Sequence, residues 1–188
     1  MPVDLTTPQL VQAYIQLRDS GPRGRELAAV LDERGTHVRV SPLIVGGFTL
    51  NFINTIILQP LKPNASEWEW KYYVTLLGHE ACHVEQRFWI DSVQQEIRAY
   101  TSQGIVGDDI GIDLGFIKHS FSNLNPDSPE HVRLAQAALL SLFVGQPAAI
   151  VYASLPLLQP RGLQNIGPAL REIAAVIRAG LRPRPKPT

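Results

Sequence analysis

Sulfur and net charge are what this chain of 188 residues has least of: one Cys, one Met, and seventeen basic side chains cancelled by seventeen acidic ones. A single thiol forms no internal disulfide, so the fold has to be held by its core. A formal charge of zero gives no whole-molecule field toward polyanions, which argues against nucleic acid as a partner. Met1-Pro2-Val3-Asp4 has no basic stretch leading into an apolar run; with the lone Cys, this favours a cytoplasmic protein. Internal repeats and phosphate-cradling glycine loops are missing as well. Charge is absent from Leu134 to Pro160, a stretch long enough to suggest a membrane span. Gly145-Gln146-Pro147, Ser154 and Pro156 interrupt it and predict two shorter buried helices instead.

What is present is enough apolar material, 45% of residues, for one substantial core in a chain too short for two ordinary domains. Pro8 to Arg18 and Arg25 to Arg34 read as two amphipathic helices, divided by Gly21-Pro22-Arg23-Gly24 and closed by Gly35. Val38 to Val45 and Phe48 to Leu58 read as strands, with Gly46-Gly47 as a tight hairpin turn and Pro42 placing the first strand at an edge. Ser66 with Glu69 forms the capping-box signature of a new helix. Gly104 to Asn125 reads as a loop with a short helix, Ser128-Pro129-Glu130 opens a helix to about Phe143, and 166–181 forms a last amphipathic helix. The expected organisation is one domain over 1–181. It comprises a helical pair (1–36), a hairpin with the central helices (37–104) and C-terminal helices (105–181), before a disordered Pro/Arg-rich tail at 182–188.

His79-Glu80-Ala81-Cys82-His83 is the stretch that carries chemistry. On a helix, residues four apart differ by about 40° in azimuth, so both imidazoles leave one face and can share a cation. A catalytic zinc site uses three protein ligands and keeps a position for water, and Glu80 is placed to take that water's proton. The apolar lead-in Tyr72-Tyr73-Val74-Thr75-Leu76-Leu77-Gly78, and the absence of Pro between Pro63 and Pro126, put the motif inside a helix. Cys82 falls on another helical face and reads as a buried filler. Trp68, Trp70 and Trp89 read as anchors of the motif helix.

A third ligand is needed. Six residues beyond His83 stands Trp89, where a third His would define a metzincin, and Gln86 replaces the glycine of that turn. Glu96 is the better candidate, with Asp91 as the substitute carboxylate. In one continuous helix Glu96 would lie about 20 Å along the axis from His83, so the chain has to turn between Trp89 and Ser92. Ser92-Val93-Gln94-Gln95 supplies a capping signature for the restart. Tyr100, one turn past Glu96, can aim a hydroxyl at a developing oxyanion or simply pack. His119 and His131 are candidates for an oxyanion or ligand-orienting role, or for ordinary surface or core positions.

Leu77-Gly78-His79-Glu80-Ala81-Cys82-His83-Val84-Glu85-Gln86, followed by Glu96-Ile97-Arg98-Ala99-Tyr100, resembles the core of a small zincin of the gluzincin type. The resemblance spans about 38–104. It implies a mostly helical α+β fold with a small antiparallel sheet or hairpin and added helices. It also implies one Zn2+ per chain on His79, His83 and Glu96, Glu80 as catalytic base, and an edge strand between Arg39 and Leu58 that holds an extended peptide. The link from His83 to Glu96 is shorter than in thermolysin-like enzymes. The reading is a zinc-dependent hydrolase, a peptidase acting on peptide or protein substrates. Two alternatives stay open: a zincin-like metal-binding protein without proteolysis, serving as a sensor or interaction module, and a non-metal helical or membrane-associated binding protein.

Overall fold

Two helix starts at proline set the N-terminal part of the computed structural model, which describes residues 2–44, 46–87, 91–144 and 152–158. After strand β1 (Asp4–Leu5), helix α1 (Pro8–Ser20) begins with Pro8 in its first turn, and the Thr7 hydroxyl accepts from the Leu10 amide at 3.2 Å. Pro suits this position because the amide it lacks would have no helical partner. Helix α2 (Pro22–Arg34) likewise opens on Pro and closes at Gly35, whose φ of 57° is left-handed. The two helices pack as a hairpin. Gly24 lies against the Leu17 carbonyl with no room for a Cβ. Leu10, Leu17, Leu27 and Leu31 are wholly buried there, each worth roughly 1.5–3 kcal/mol of transfer free energy.

The sheet is mixed and has the order β1-β2-β4-β3, with β2 (His37–Val40), β3 (Gly47–Leu50) and β4 (Thr55–Leu58). β2 is parallel to both β1 and β4, and only β3 is antiparallel to its neighbour β4. The expected antiparallel hairpin is therefore corrected in three respects. β2 is internal, with Pro42 beyond its end. Gly46-Gly47 leads into β3 instead of joining two paired strands. The run from Phe48 to Leu58 is two strands, folded back by a 3-10 turn over Asn51–Ile53 and by Asn54 at a left-handed φ of 50°. Asn tolerates that conformation, so the reversal needs no glycine. A two-residue β1 has too little length to show an alternation, which hid the first strand of the sheet.

Helix α3 (Glu67–Gln86) starts on the predicted capping box, with the Ser66 hydroxyl accepting from the Glu69 amide and the Glu69 carboxylate from the Ser66 amide. Every residue from Tyr73 to Val84 is buried, as in a helix surrounded by other elements on all sides. Leu17 and Leu27 of the helical hairpin and Val106 pack over Gly78, while Val38, Ile56 and Leu58 of the sheet join the same core. Trp70 donates its indole N–H to Gln16 at 2.6 Å and ties α3 to α1. Trp68 stacks on Tyr72 with centroids 5.3 Å apart; Trp89 lies outside the described residues. The helix stops at Arg87, a left-handed cap with φ of 62°.

Helix α4 (Val93–Asp109) follows, then α5 (Gly115–Phe121) and α6 (Pro129–Leu142). The loop expected from Gly104 is corrected: α4 runs on through Gly104 and Gly107. A Cβ on Gly107 would come within 2.7 Å of Leu114 Cδ1, so that glycine marks close packing rather than a chain break. α6 begins on the Ser128 cap, as read from the sequence.

By their contacts the residues form two units. One comprises the described residues among 1–89 and 98–123 and holds the sheet, α1 to α3, most of α4, and α5. The other comprises 90–97 and 124–188; in it the Val93 and Gln94 amides donate to the Pro156 and Leu157 carbonyls at 3.0 and 3.1 Å, satisfying helix-start donors. The predicted turn at 145–147 and helix at 166–181, and the tail at 182–188, lie outside the described residues. Among the described residues no helix is long and apolar enough to cross a membrane.

Candidate metal centre

Helical spacing brings the motif imidazoles face to face. His79 Nε2 and His83 Nε2 are 3.2 Å apart, close to the separation of about 3.3 Å that two nitrogens adopt on a tetrahedral ion at about 2.05 Å. The same distance also suits an N–H···N hydrogen bond between the rings. What distinguishes a metal site is a third donor. Ligand atoms of His79, His83 and Glu96 all lie within 4.8 Å of one another, and all three residues are buried. Two imidazoles and a carboxylate form a donor set suited to zinc, as well as to cobalt or manganese. Asp91 is not in this group.

The outer nitrogen of His79 is engaged in turn. Nδ1 lies 3.2 Å from Gln103 Oε1. Gln103 Nε2 donates to Thr75 Oγ1 at 3.2 Å, and Thr75 donates to the Tyr72 carbonyl at 2.8 Å. The Tyr100 ring meets His79 edge-on with centroids 4.5 Å apart, and stacks on Phe121 at the same distance. Tyr100 and Gln103 thus lie against α3 from one face of α4. Glu96 stands one turn before Tyr100 on the same helix, so its place follows from the register of that face. At the end of α3, Asn51 Nδ2 donates to the His83 carbonyl at 3.2 Å.

Glu80 is outside the three-ligand group and faces β3, the edge strand. Thr49 Oγ1 lies 2.7 Å from Glu80 Oε2 and 3.1 Å from the Glu80 carbonyl. A Cβ on Gly47 would sit 2.5 Å from Glu80 Oε1, so the strand reaches the carboxylate only because that residue is glycine.

Cys82 points elsewhere. Its sulfur receives contacts from Arg23, Ser102 and Gln86, at 3.6, 3.6 and 3.3 Å. Burial pushes its thiol pKa up, the opposite of an activated nucleophile. His119 is exposed on α5, and His131 Nδ1 accepts from the Asn125 amide at 2.8 Å, which occupies it in a turn.

Sequence reading missed Gly47, Thr49, Thr75 and Gln103. A signal for the last two was available: Thr75, His79 and His83 repeat every four residues, and Glu96, Tyr100 and Gln103 fall at i, i+4 and i+7. Each set is a run of polar or ring-bearing residues that recurs on one helical face. The strand residues had no such signal, because their role depends on where β3 crosses α3. No protein-family model, no curated protein and no solved structure matches the chain, so the site is read from its own geometry.

Proposed function

We propose that this protein is a zinc-dependent hydrolase of peptide bonds, with His79, His83 and Glu96 as ligands and Glu80 as general base. The observation that carries the reading is the convergence of two imidazole nitrogens and a buried carboxylate within 4.8 Å. When bound, zinc supplies Lewis acidity: it polarises a carbonyl and lets water ionise near neutral pH. The remaining work falls to the chain. Glu80 accepts the proton of the attacking water and returns it to the departing amine. Thr49 holds one oxygen of that carboxylate, which fixes its direction and leaves the other for the water. β3 lies at the sheet edge, where an extended peptide can add by main-chain hydrogen bonds.

Glu80→Gln tests the assignment. With a mixed peptide library read by mass spectrometry, the variant loses cleavage while its zinc content equals that of the parent; undiminished cleavage would remove Glu80 from the mechanism. A second reading, metal binding without turnover, is favoured by one observation. His79, Glu80, His83 and Glu96 are only 4, 4, 3 and 5% exposed, which suits a closed structural or sensing site. Stoichiometric zinc with an untouched library would select it. The absence of bound zinc would select a helical binding protein.

A further inference from the structure

We propose that Gln103 is the positioning residue for His79: through Thr75 it reads a backbone carbonyl and fixes which ring nitrogen of His79 faces the ligand site with its lone pair. The Tyr72 carbonyl can only accept, so the single Thr75 hydroxyl proton is committed to it at 2.8 Å. Toward Gln103, Thr75 Oγ1 is then an acceptor. The Gln103 amide therefore turns its NH2 end to Thr75 at 3.2 Å and its oxygen to His79 Nδ1 at 3.2 Å. An amide oxygen only accepts, so Nδ1 carries the ring proton. Nε2, 3.2 Å from His83 Nε2, is left with its lone pair toward the other ligands. Free imidazole side chains favour the opposite tautomer, so the relay has something to overcome.

The relay is built into the fold. Thr75 is one helical turn before His79 on α3, Gln103 is on α4, and Thr75, His79 and Gln103 are 0, 4 and 1% exposed. Solvent offers these groups no ready alternative partners; within the protein the Tyr72 hydroxyl is a further hydrogen-bond partner of Gln103. Partners on the outer nitrogen of a metal-ligating His commonly change metal affinity by about 10–100-fold when removed. Its consequence for zinc rests on the function proposed above; the tautomer does not.

The experiment is 15N NMR of His-labelled, metal-free protein at alkaline pH, with His79 assigned by its loss in His79→Gln. His79 is expected as the Nδ1–H tautomer in the parent, which needs no variant that might misfold. Gln103→Leu should shift it toward the Nε2–H form, whereas Gln103→Glu, which keeps an acceptor, should retain Nδ1–H. Thr75→Val should move the signal part of the way, and Thr75→Ser should restore it. An Nε2–H tautomer in the parent, or a spectrum unmoved by Gln103→Leu, overturns the proposal. Chelator competition with Zn2+ alone then reads affinity, expected to fall about 10–100-fold in Gln103→Leu. An unchanged zinc affinity would overturn the positioning role. A correct tautomer in a parent that binds no zinc would support the relay and reject the zinc reading.

Discussion

Thr49 Oγ1 lies 2.7 Å from Glu80 Oε2, joining the edge strand to the second residue of the motif. Helical periodicity accounts for the two histidines without reference to the sheet, but it does not aim Glu80. That direction comes from β3, whose Thr49 and Gly47 both meet the carboxylate.

Thr49→Val keeps the shape and removes the donor. A buried acceptor that loses its partner costs about 1–3 kcal/mol, so the urea midpoint should fall by a corresponding amount. Peptide hydrolysis should drop roughly 10- to 100-fold through the misdirected base, with zinc content unchanged. Equal stability and turnover would show that the contact does not hold Glu80.

Gly47→Ala makes the complementary change. The added Cβ would stand 2.5 Å from Glu80 Oε1 and 2.7 Å from its Cγ, so strand or carboxylate has to move. A displacement of about 1 Å at a reacting group can cost about 10²-fold in rate. Cleavage should fall on that scale, and zinc loading at the proposed His79–His83–Glu96 site should be unchanged. Metal analysis beside the library assay distinguishes this from general unfolding.

Alkaline pH probes the helical hairpin away from the site. Burial, followed by the hydrogen bond to Asp32, pushes the Tyr14 pKa up to about 12, and burial does the same for Tyr73. A raised acid pKa favours the protonated form in the fold. The contribution is therefore complete below the unfolded pKa of about 10 and is lost as pH rises from there toward 12. Denaturant titrations should show stability falling over that window, with a shallower fall in Tyr14→Phe. An unchanged slope in that variant would mean Tyr14 does not titrate with unfolding.

Ser66→Ala removes one side of the capping box that starts α3. The loss should be about 1 kcal/mol, or about 2–4 °C in melting temperature for a chain of this size. Differential scanning calorimetry checks it, and a variant as stable as the parent would show that tertiary packing alone sets the start of α3.

Much of the helical part of the fold was legible because its signals are local: Pro8, Gly35, Ser66 with Glu69, and Ser128-Pro129 each act within one turn. The sheet was not. Parallel pairing of β1 with β2 joins residues more than thirty apart, and no local pattern in a two-residue strand announces it. Arg87 ends α3 in a conformation usually left to glycine, so the break that separates His83 from Glu96 had no clear composition mark. At the candidate site, His79, Glu80 and His83 could be named from their spacing on one helix, though not the direction in which Glu80 points. Thr49 and Gln103 depend on which strand and which helix pass close by, so they emerged only with the fold.

Zinc stoichiometry decides whether His79, His83 and Glu96 form a metal centre. Purified parent, Glu80→Gln, His83→Ala and Glu96→Ala are loaded with zinc, dialysed and analysed for metal, with calorimetric melts before and after loading. One tightly held ion is expected in the parent and in Glu80→Gln, each melting higher when loaded because a ligand of the folded chain stabilises it, and little retained metal in His83→Ala and Glu96→Ala. A parent that keeps no zinc and melts identically with and without it would rule out the proposed metal centre.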